Sequence, residues 1–427
     1  MDITKLVPSL LVLAACFCFY ILRQKEIKYK SATIATQWFV FCSGIYFFGE
    51  KLLYRLKNPE IWDFSSFYIW GKVAVKGQNF YLPENSEAVY NFLNLPFLKD
   101  KVFFEEIIKV GFLYPPPTML YFAPLGLLSY KTAMIIWTFF NLIFFVASLK
   151  IIYDLFFKAK DINGLILITS IALLLSPVRA TVFFSQTNFI VLFFLLMMKK
   201  YRGSPYGGVF LCLAMFTKPY MAIFFVYFLI IRNKRAILYF FTTVIALSLL
   251  SVLLFGYEVF LSYFLNNPVK RLPEAVYFED INQSLHSVLL RAGLINSGNS
   301  LTFMVVSFLI IIISAVFLFF LYKKKYFDTI WVTLLLCGLI IYPATLSYYG
   351  VLCLFIIPHF FDEKSELFLN PSFGIIIVTA TIFLCTINFF AALIFLSAVV
   401  FFKTKTPGFF TYDFIPVFSY YLRKPKS

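Results

Sequence analysis

Residues 301–325 read LTFMVVSFLIIIISAVFLFFLYKKK. No charge interrupts the run from Leu301 to Tyr322, and it closes on Lys323, Lys324 and Lys325. Wound as an α-helix at about 1.5 Å per residue, some 20 apolar residues match the ~30 Å of hydrocarbon in a bilayer. A lysine cluster at one end is the mark of the cytoplasmic side. The stretch reads as a membrane-spanning helix whose C-terminal end lies inside.

Outward from it the same pattern recurs. Apolar runs at about 5–22, 34–55, 131–153, 163–177, 187–198 and 236–255 alternate with basic clusters. The clusters are Arg23, Lys25, Lys28 and Lys30; Lys158 and Lys160; Lys199, Lys200 and Arg202; and Arg232, Lys234 and Arg235. Composition agrees: of 427 residues 61% are hydrophobic and only 14% charged, against about a quarter charged in a globular domain. Mean hydropathy is +0.85. The chain reads as an all-α polytopic membrane protein, one domain over 1–427 with about ten to thirteen spans. The net charge of +16 is distributed as orientation signals between spans, not as a basic face with aromatic readers, which excludes nucleic acid as a partner. The 58 Phe are hydrophobic filler. The seven cysteines all lie in apolar runs without ligand spacing and imply neither a disulfide framework nor a zinc site. The N-terminus has no basic n-region or small-residue cleavage site, so the first run is expected to be a retained helix.

With the basic clusters inside, two long segments fall outside, 56–117 and 256–300, and 403–427 is a C-terminal tail. In the first, apolar residues from Phe64 to Val75 with Gly77 as a stop suggest a short amphipathic helix on the membrane surface. Ser176 to Gln186 reads as an outer turn. Runs at 205–217 and 220–231, each too short to span, flank Lys218-Pro219, so a pair that dips to a polar point and returns is expected. Runs at 329–346 and 349–361 meet outside at Ser347-Tyr348-Tyr349. The run 373–402 is one overlong helix or two short ones; Arg423, Lys424 and Lys426 favour two, with the C-terminus inside.

This path puts Asp63, Arg179, Gln186, Asn188, Lys218, Asn282, Gln283, Arg291, Tyr348 and Tyr349 on the outer side. A charge within a span costs about 2.5–3.5 kcal/mol on insertion scales and usually marks function. Convergence of these residues would make one site at the outer membrane surface. A carboxylate facing Arg and Lys there can accept a proton from an attacking hydroxyl while the cations hold a phosphate. Sugar transfer from a lipid-linked phosphate needs those parts. Structural readings stand beside these: Asp63 is a favoured N-cap, Lys218 and Arg179 can snorkel to the interface, and Asn282-Gln283-Ser284 can be a plain helix start. His286 is more often structural than a ligand, and His359 falls at an inner helix end. Asp100, Glu105 and Glu106 read as solvated loop charges. Glu279-Asp280 offers hard oxygens, but adjacent side chains diverge. No metal or cofactor is implied.

The stretch Asp63-Phe64-Ser65-Ser66-Phe67-Tyr68, with Gly77-Gln78-Asn79-Phe80-Tyr81 after it, resembles the "D-F-x-x-Y-Y … G-x-x-x-Y" opening of the polyprenol-phosphate-mannose-dependent glycosyltransferases of family 87, in the GT-C superfamily. Tyr114-Pro115-Pro116 followed by Pro124-Leu125 is similar to that family's "Y-P-P … P-L" segment. Gln186-Thr187-Asn188, Lys218-Pro219 and Asn282-Gln283-Ser284 with Arg291 follow in order, so the likeness covers most of residues 35–360. The resemblance implies a GT-C-type bundle and an inverting transferase that takes a sugar, mannose by default, from a polyprenyl-phosphate donor to a lipid-linked or cell-envelope glycan acceptor, on the outer face of the cell membrane. It implies Asp63 as catalytic base, Arg179, Lys218 and Arg291 as donor-phosphate ligands, and Tyr68, Gln186, Asn188, Asn282, Gln283, Tyr348 and Tyr349 as substrate contacts. Two departures stand out: many relatives carry His where this chain has Tyr348-Tyr349, and the helix before Ala35 is an addition to the usual start. A transporter or flippase of lipid-linked sugars also uses broken helices, although no internal repeat is visible here. A glycan polymerase or ligase typically has a large late outer loop with paired Arg and His.

Overall fold

The computed structural model describes residues 6–22, 30–58, 62–85, 111–157, 161–266, 277–278, 280–295 and 301–406. Arg23, Lys25, Lys28, Asp100, Glu105, Glu106, Lys158, Lys160, Glu279, the middle parts of both long outer segments and the tail with Arg423, Lys424 and Lys426 lie outside them.

Every regular element among the described residues is helical. Among the described residues four helices are long and apolar enough to cross a membrane by themselves: α2 (Lys30–Lys57), α5 (Tyr130–Phe156), α11 (Lys234–Phe255) and α14 (Leu301–Lys323). A bent pair, α6 (Ile162–Leu174) and α7 (Ser176–Phe184), makes a fifth span if taken together. The segment expected as an outer turn is therefore mostly helix. Pro177 sits in the first turn of α7, where its fixed φ and missing N–H are tolerated, and the chain bends by 60° there. Shorter helices fill the space between: α1 (Val7–Leu22), α3 (Trp62–Val75), α4 (Met119–Gly126), α8 (Asn188–Lys200), α9 (Tyr206–Thr217), α10 (Phe225–Ile230), α12 (Tyr257–Asn266), α13 (Leu285–Arg291) and α15 (Phe327–Ile341). Helices of one or two turns follow from Ser347 to Phe360, ahead of α17 (Pro371–Ile387) and α18 (Phe389–Lys405); the middle one, Cys353–Ile356, is α16. The run left open between one and two helices breaks at Asn388, whose side chain caps α18 by accepting from Ala391 N at 2.9 Å.

Burial sorts the helices by what they face. On α11 and α14 only 11% of the apolar window is buried, so their bare Leu253, Leu254, Phe308 and Ile313 face lipid. By contrast α8, α15 and the segment from Ser347 to Phe360 are buried almost throughout. Where a surface helix with one apolar face was expected, α3 has Phe64, Phe67, Tyr68, Ile69, Trp70 and Val73 all under 5% exposed, because α4 covers it. Gly71 and Gly126 permit that approach: a Cβ on Gly71 would meet Phe122 O at 2.4 Å.

The short buried helices run between two polar ends. At one, α8 begins beside Gln186, α9 stops at Lys218 and the chain turns at Tyr348-Tyr349. At the other, Lys199 Nζ donates to Asp328 Oδ1 at 2.9 Å and meets His359 Nε2 at 3.0 Å, and Arg202 Nη1 donates to Asp328 Oδ1 at 3.1 Å. The return of α10 to this second end is fixed by Asn233 Nδ2, which donates to Arg202 O at 3.0 Å. The pair around Lys218-Pro219 thus dips and comes back.

Candidate active site

Proline creates the bend that positions the central cation. Pro219 forces the residue before it out of helical geometry, and Lys218 is extended at φ −144°, ψ 106°. The break frees Phe216 O, which accepts the Thr118 hydroxyl from the Pro115-Pro116-Pro117 turn. Lys218 is 1% exposed. Its ammonium donates to Tyr349 Oη at 2.8 Å, Tyr114 Oη at 2.9 Å and Gln186 Oε1 at 3.4 Å, and it lies 4.4 Å from the Tyr349 ring centre.

Gln186 links this cation to the carboxylate. Its Nε2 donates to Asp63 Oδ2 at 2.6 Å and to Tyr348 Oη at 3.1 Å, and the Tyr348 hydroxyl itself reaches Asp63. Asp63 occupies the first turn of α3, before the spanning helices resume. Burial pushes its pKa above the ordinary value, opposed by the Gln186 hydrogen bond, the Lys218 charge, the Tyr348 hydrogen bond and the Arg55 charge.

A strained turn aims Gln186. Ser185 caps α7 in the left-handed region, φ 53°, a conformation costing a non-glycine residue about 1–2 kcal/mol. Two groups hold it: Arg55 Nε donates to Ser185 Oγ at 2.8 Å and Trp137 Nε1 to Ser185 O at 2.8 Å. Arg55 is fully buried, against the Tyr130 hydroxyl and within the field of Asp63. Asn188 Nδ2 donates to Tyr348 O at 3.2 Å, which fixes the tyrosine pair from below. The motif Asn282-Gln283-Ser284 is tied to the same turn through an isolated antiparallel bridge between Asn282 and Leu346. Gln283 N donates to Thr345 O at 2.7 Å, and Ser347 N to Ile281 O at 2.8 Å.

Asp63, Gln186, Lys218, Tyr348 and Tyr349 thus form one cluster, with Asn188 and Asn282 supporting its tyrosine corner. Other expected site residues stand elsewhere. Arg179 packs its guanidinium 5.6 Å over Phe47 of α2, in the field of Glu50, and has no hydrogen bond to the cluster among the described residues. Arg291 Nη1 donates to Asn282 O at 2.8 Å, so it braces the loop behind the cluster. Tyr68 Oη donates to Leu128 O at 2.8 Å, between α3 and the start of α5. Gln283 turns its Nε2 to Asp280 O. His286 lies between the rings of Tyr277 and Phe303.

Two members were not singled out from sequence. Arg55 looks like any cation ending a span, and its sole signal is lying eight residues before Asp63. Tyr114 enters the sequence reading only through the likeness of Tyr114-Pro115-Pro116 to a family segment, yet its hydroxyl is a direct partner of Lys218.

The arrangement places a half-buried carboxylate beside a buried cation, with amide and phenol groups between, at the end of the short buried helices. It can take a proton and steady a developing negative charge. Compared with known families, residues 112–347 match glycosyltransferase family 87. That span includes Gln186, Lys218, Asn282 and Arg291, while Asp63, Tyr348 and Tyr349 lie outside it. No curated protein and no solved structure matches the chain.

Proposed function

This chain belongs to glycosyltransferase family 87, and from that premise we propose that it moves a sugar, mannose by default, from a polyprenyl-phosphate donor to a hydroxyl of a lipid-linked or cell-envelope glycan. Asp63 takes the proton of the acceptor hydroxyl as its oxygen attacks the anomeric carbon. The bond from that carbon to the phosphate oxygen breaks, polyprenyl phosphate leaves with the electron pair, and the anomeric configuration inverts. Lys218 steadies the departing phosphate, with Tyr114 and Tyr349 holding its ammonium. Arg291, behind Asn282, and Arg179 are second-rank candidates for the phosphate, and Tyr68, Asn188 and Gln283 for the sugar or acceptor. The site faces the extracytoplasmic side of the cell membrane, the side away from the basic clusters.

The observation that carries this reading is the continuous link from Asp63 through Gln186 to Lys218. It favours paired proton abstraction and anion stabilisation over transport, which needs no base. Helix length supports a lipid-borne donor. From Asn188 to Lys200, α8 has 13 residues, about 20 Å. That falls about 10 Å short of the hydrocarbon thickness, so a site at its end sits within reach of a phosphate carried on a lipid tail.

The purified chain, given radiolabelled mannose as the polyprenyl phosphate or as a nucleotide sugar with a membrane extract as acceptor, is expected to label lipid-linked or envelope glycan from the first donor only. Labelling from the nucleotide sugar alone would overturn the donor assignment. Movement of intact polyprenyl-phosphate mannose across vesicles without transfer would favour the transporter.

A further inference from the structure

At the end of the bundle opposite Asp63, two helices finish alike. Beyond Ile230 of α10, Arg232 N donates to Leu229 O and Asn233 N to Phe228 O, each at 3.1 Å. Beyond α14, Lys325 N donates to Tyr322 O and Tyr326 N to Leu321 O, each at 3.0 Å. Both are closed by a residue in the left-handed region, Arg232 at φ 54° and Lys325 at φ 58°. Glycine is the usual occupant of that position, because a side chain there is strained. Here both positions carry a long cation.

The two caps border one groove of about 440 Å³, with Lys323 as a third cation and Ile230, Ile231 and Tyr322 among its apolar lining. All three cations are exposed, and no carboxylate lines the groove. Asp328, just past it, is engaged by Lys199 and Arg202. The bare side of α14, with Val316 66% and Phe319 62% exposed, leads from the groove into the hydrocarbon.

We propose that this groove binds the phosphate headgroup of an anionic phospholipid in the leaflet opposite the Asp63 site, with the acyl chains along α14. Phosphate is the shared chemistry of a lipid headgroup and a free anion. The apolar lining and the adjoining lipid-facing helix select the lipid. Basic pockets between spanning helices recognise headgroups in this manner, and strain kept at two equivalent positions is expected where the side chains are needed.

Native mass spectrometry of the full-length protein, with phosphatidylglycerol, phosphatidylcholine or soluble glycerol phosphate, tests the assignment. Phosphatidylglycerol is expected to be retained at least about tenfold over phosphatidylcholine, and glycerol phosphate not at all. The double variant Arg232→Gly/Lys325→Gly should lose that preference while its thermal midpoint stays level or rises, since glycine suits both positions. Lys323→Gln should weaken it without touching either cap, and Lys200→Gln, an exposed cation elsewhere, should leave it intact. Full preference in the double glycine variant, equal retention of phosphatidylcholine, or tight binding of glycerol phosphate alone would each overturn the proposal.

Discussion

An ammonium has three protons to donate, and Lys218 uses all three, on Tyr114, Tyr349 and Gln186. A phosphate can join only by displacing one partner. The Gln186 contact, at 3.4 Å the longest, is the one to yield, leaving the amide free to stay with Asp63. Lys218→Met should therefore lower the transfer rate by about 10²-fold, the cost of losing one electrostatic stabiliser, as read from kcat with labelled donor. The pH dependence concerns Asp63. A base works ionised, and burial holds this carboxyl's pKa above the ordinary range. Activity should fall as pH drops through a midpoint above the usual carboxylate value of about 4. Gln186→Leu removes a hydrogen bond that favours the ionised form, so the acid limb of kcat against pH should move upward. A limb that stays in place would detach Gln186 from the carboxylate.

At the scale of elements, proline breaks decide where the polar groups stand. Pro219 holds Lys218 extended at the tip of the dipping pair. Pro219→Ala restores a backbone donor to the interrupted turn and lets Lys218 become helical. A side chain displaced by even 1 Å can cost about a hundredfold in rate. Transfer should fall by that order while the thermal midpoint holds, whereas unchanged turnover would show that the break does not position the cation. The break was legible in the sequence because two half-length apolar runs met at Lys218-Pro219, and the spans were legible from charge clusters between uninterrupted runs. Pro177 marks a bend of the same kind but was read within a turn, since nine residues of mixed polarity carry no clear helical period. Cations were harder. Arg55, Arg179 and Arg291 look alike in sequence, each near a helix end. Only packing separates the one buried beside Asp63 from the one lying over Phe47 and the one bonded to Asn282 O.

For the whole molecule, the two polar ends of the short helices do different work. The Lys199–Asp328–His359 group holds α8, α15 and the segment from Ser347 to Phe360 together at the end away from Asp63. Asp328→Asn leaves a buried ammonium poorly compensated, a loss of about 3–5 kcal/mol. It should lower the thermal midpoint while turnover per folded molecule stays near wild type, because α8 separates the two ends by about 20 Å. The central claim is that Asp63 supplies the base of a polyprenyl-phosphate-dependent transfer. Its most direct test is single-turnover transfer in lipid nanodiscs, comparing wild type with Asp63→Asn at matched folded concentration and saturating polyprenyl-phosphate mannose. Loss of the base should lower the rate by about 10²–10⁴-fold, with donor still bound. A variant that transfers mannose within a few fold of wild type would contradict the claim.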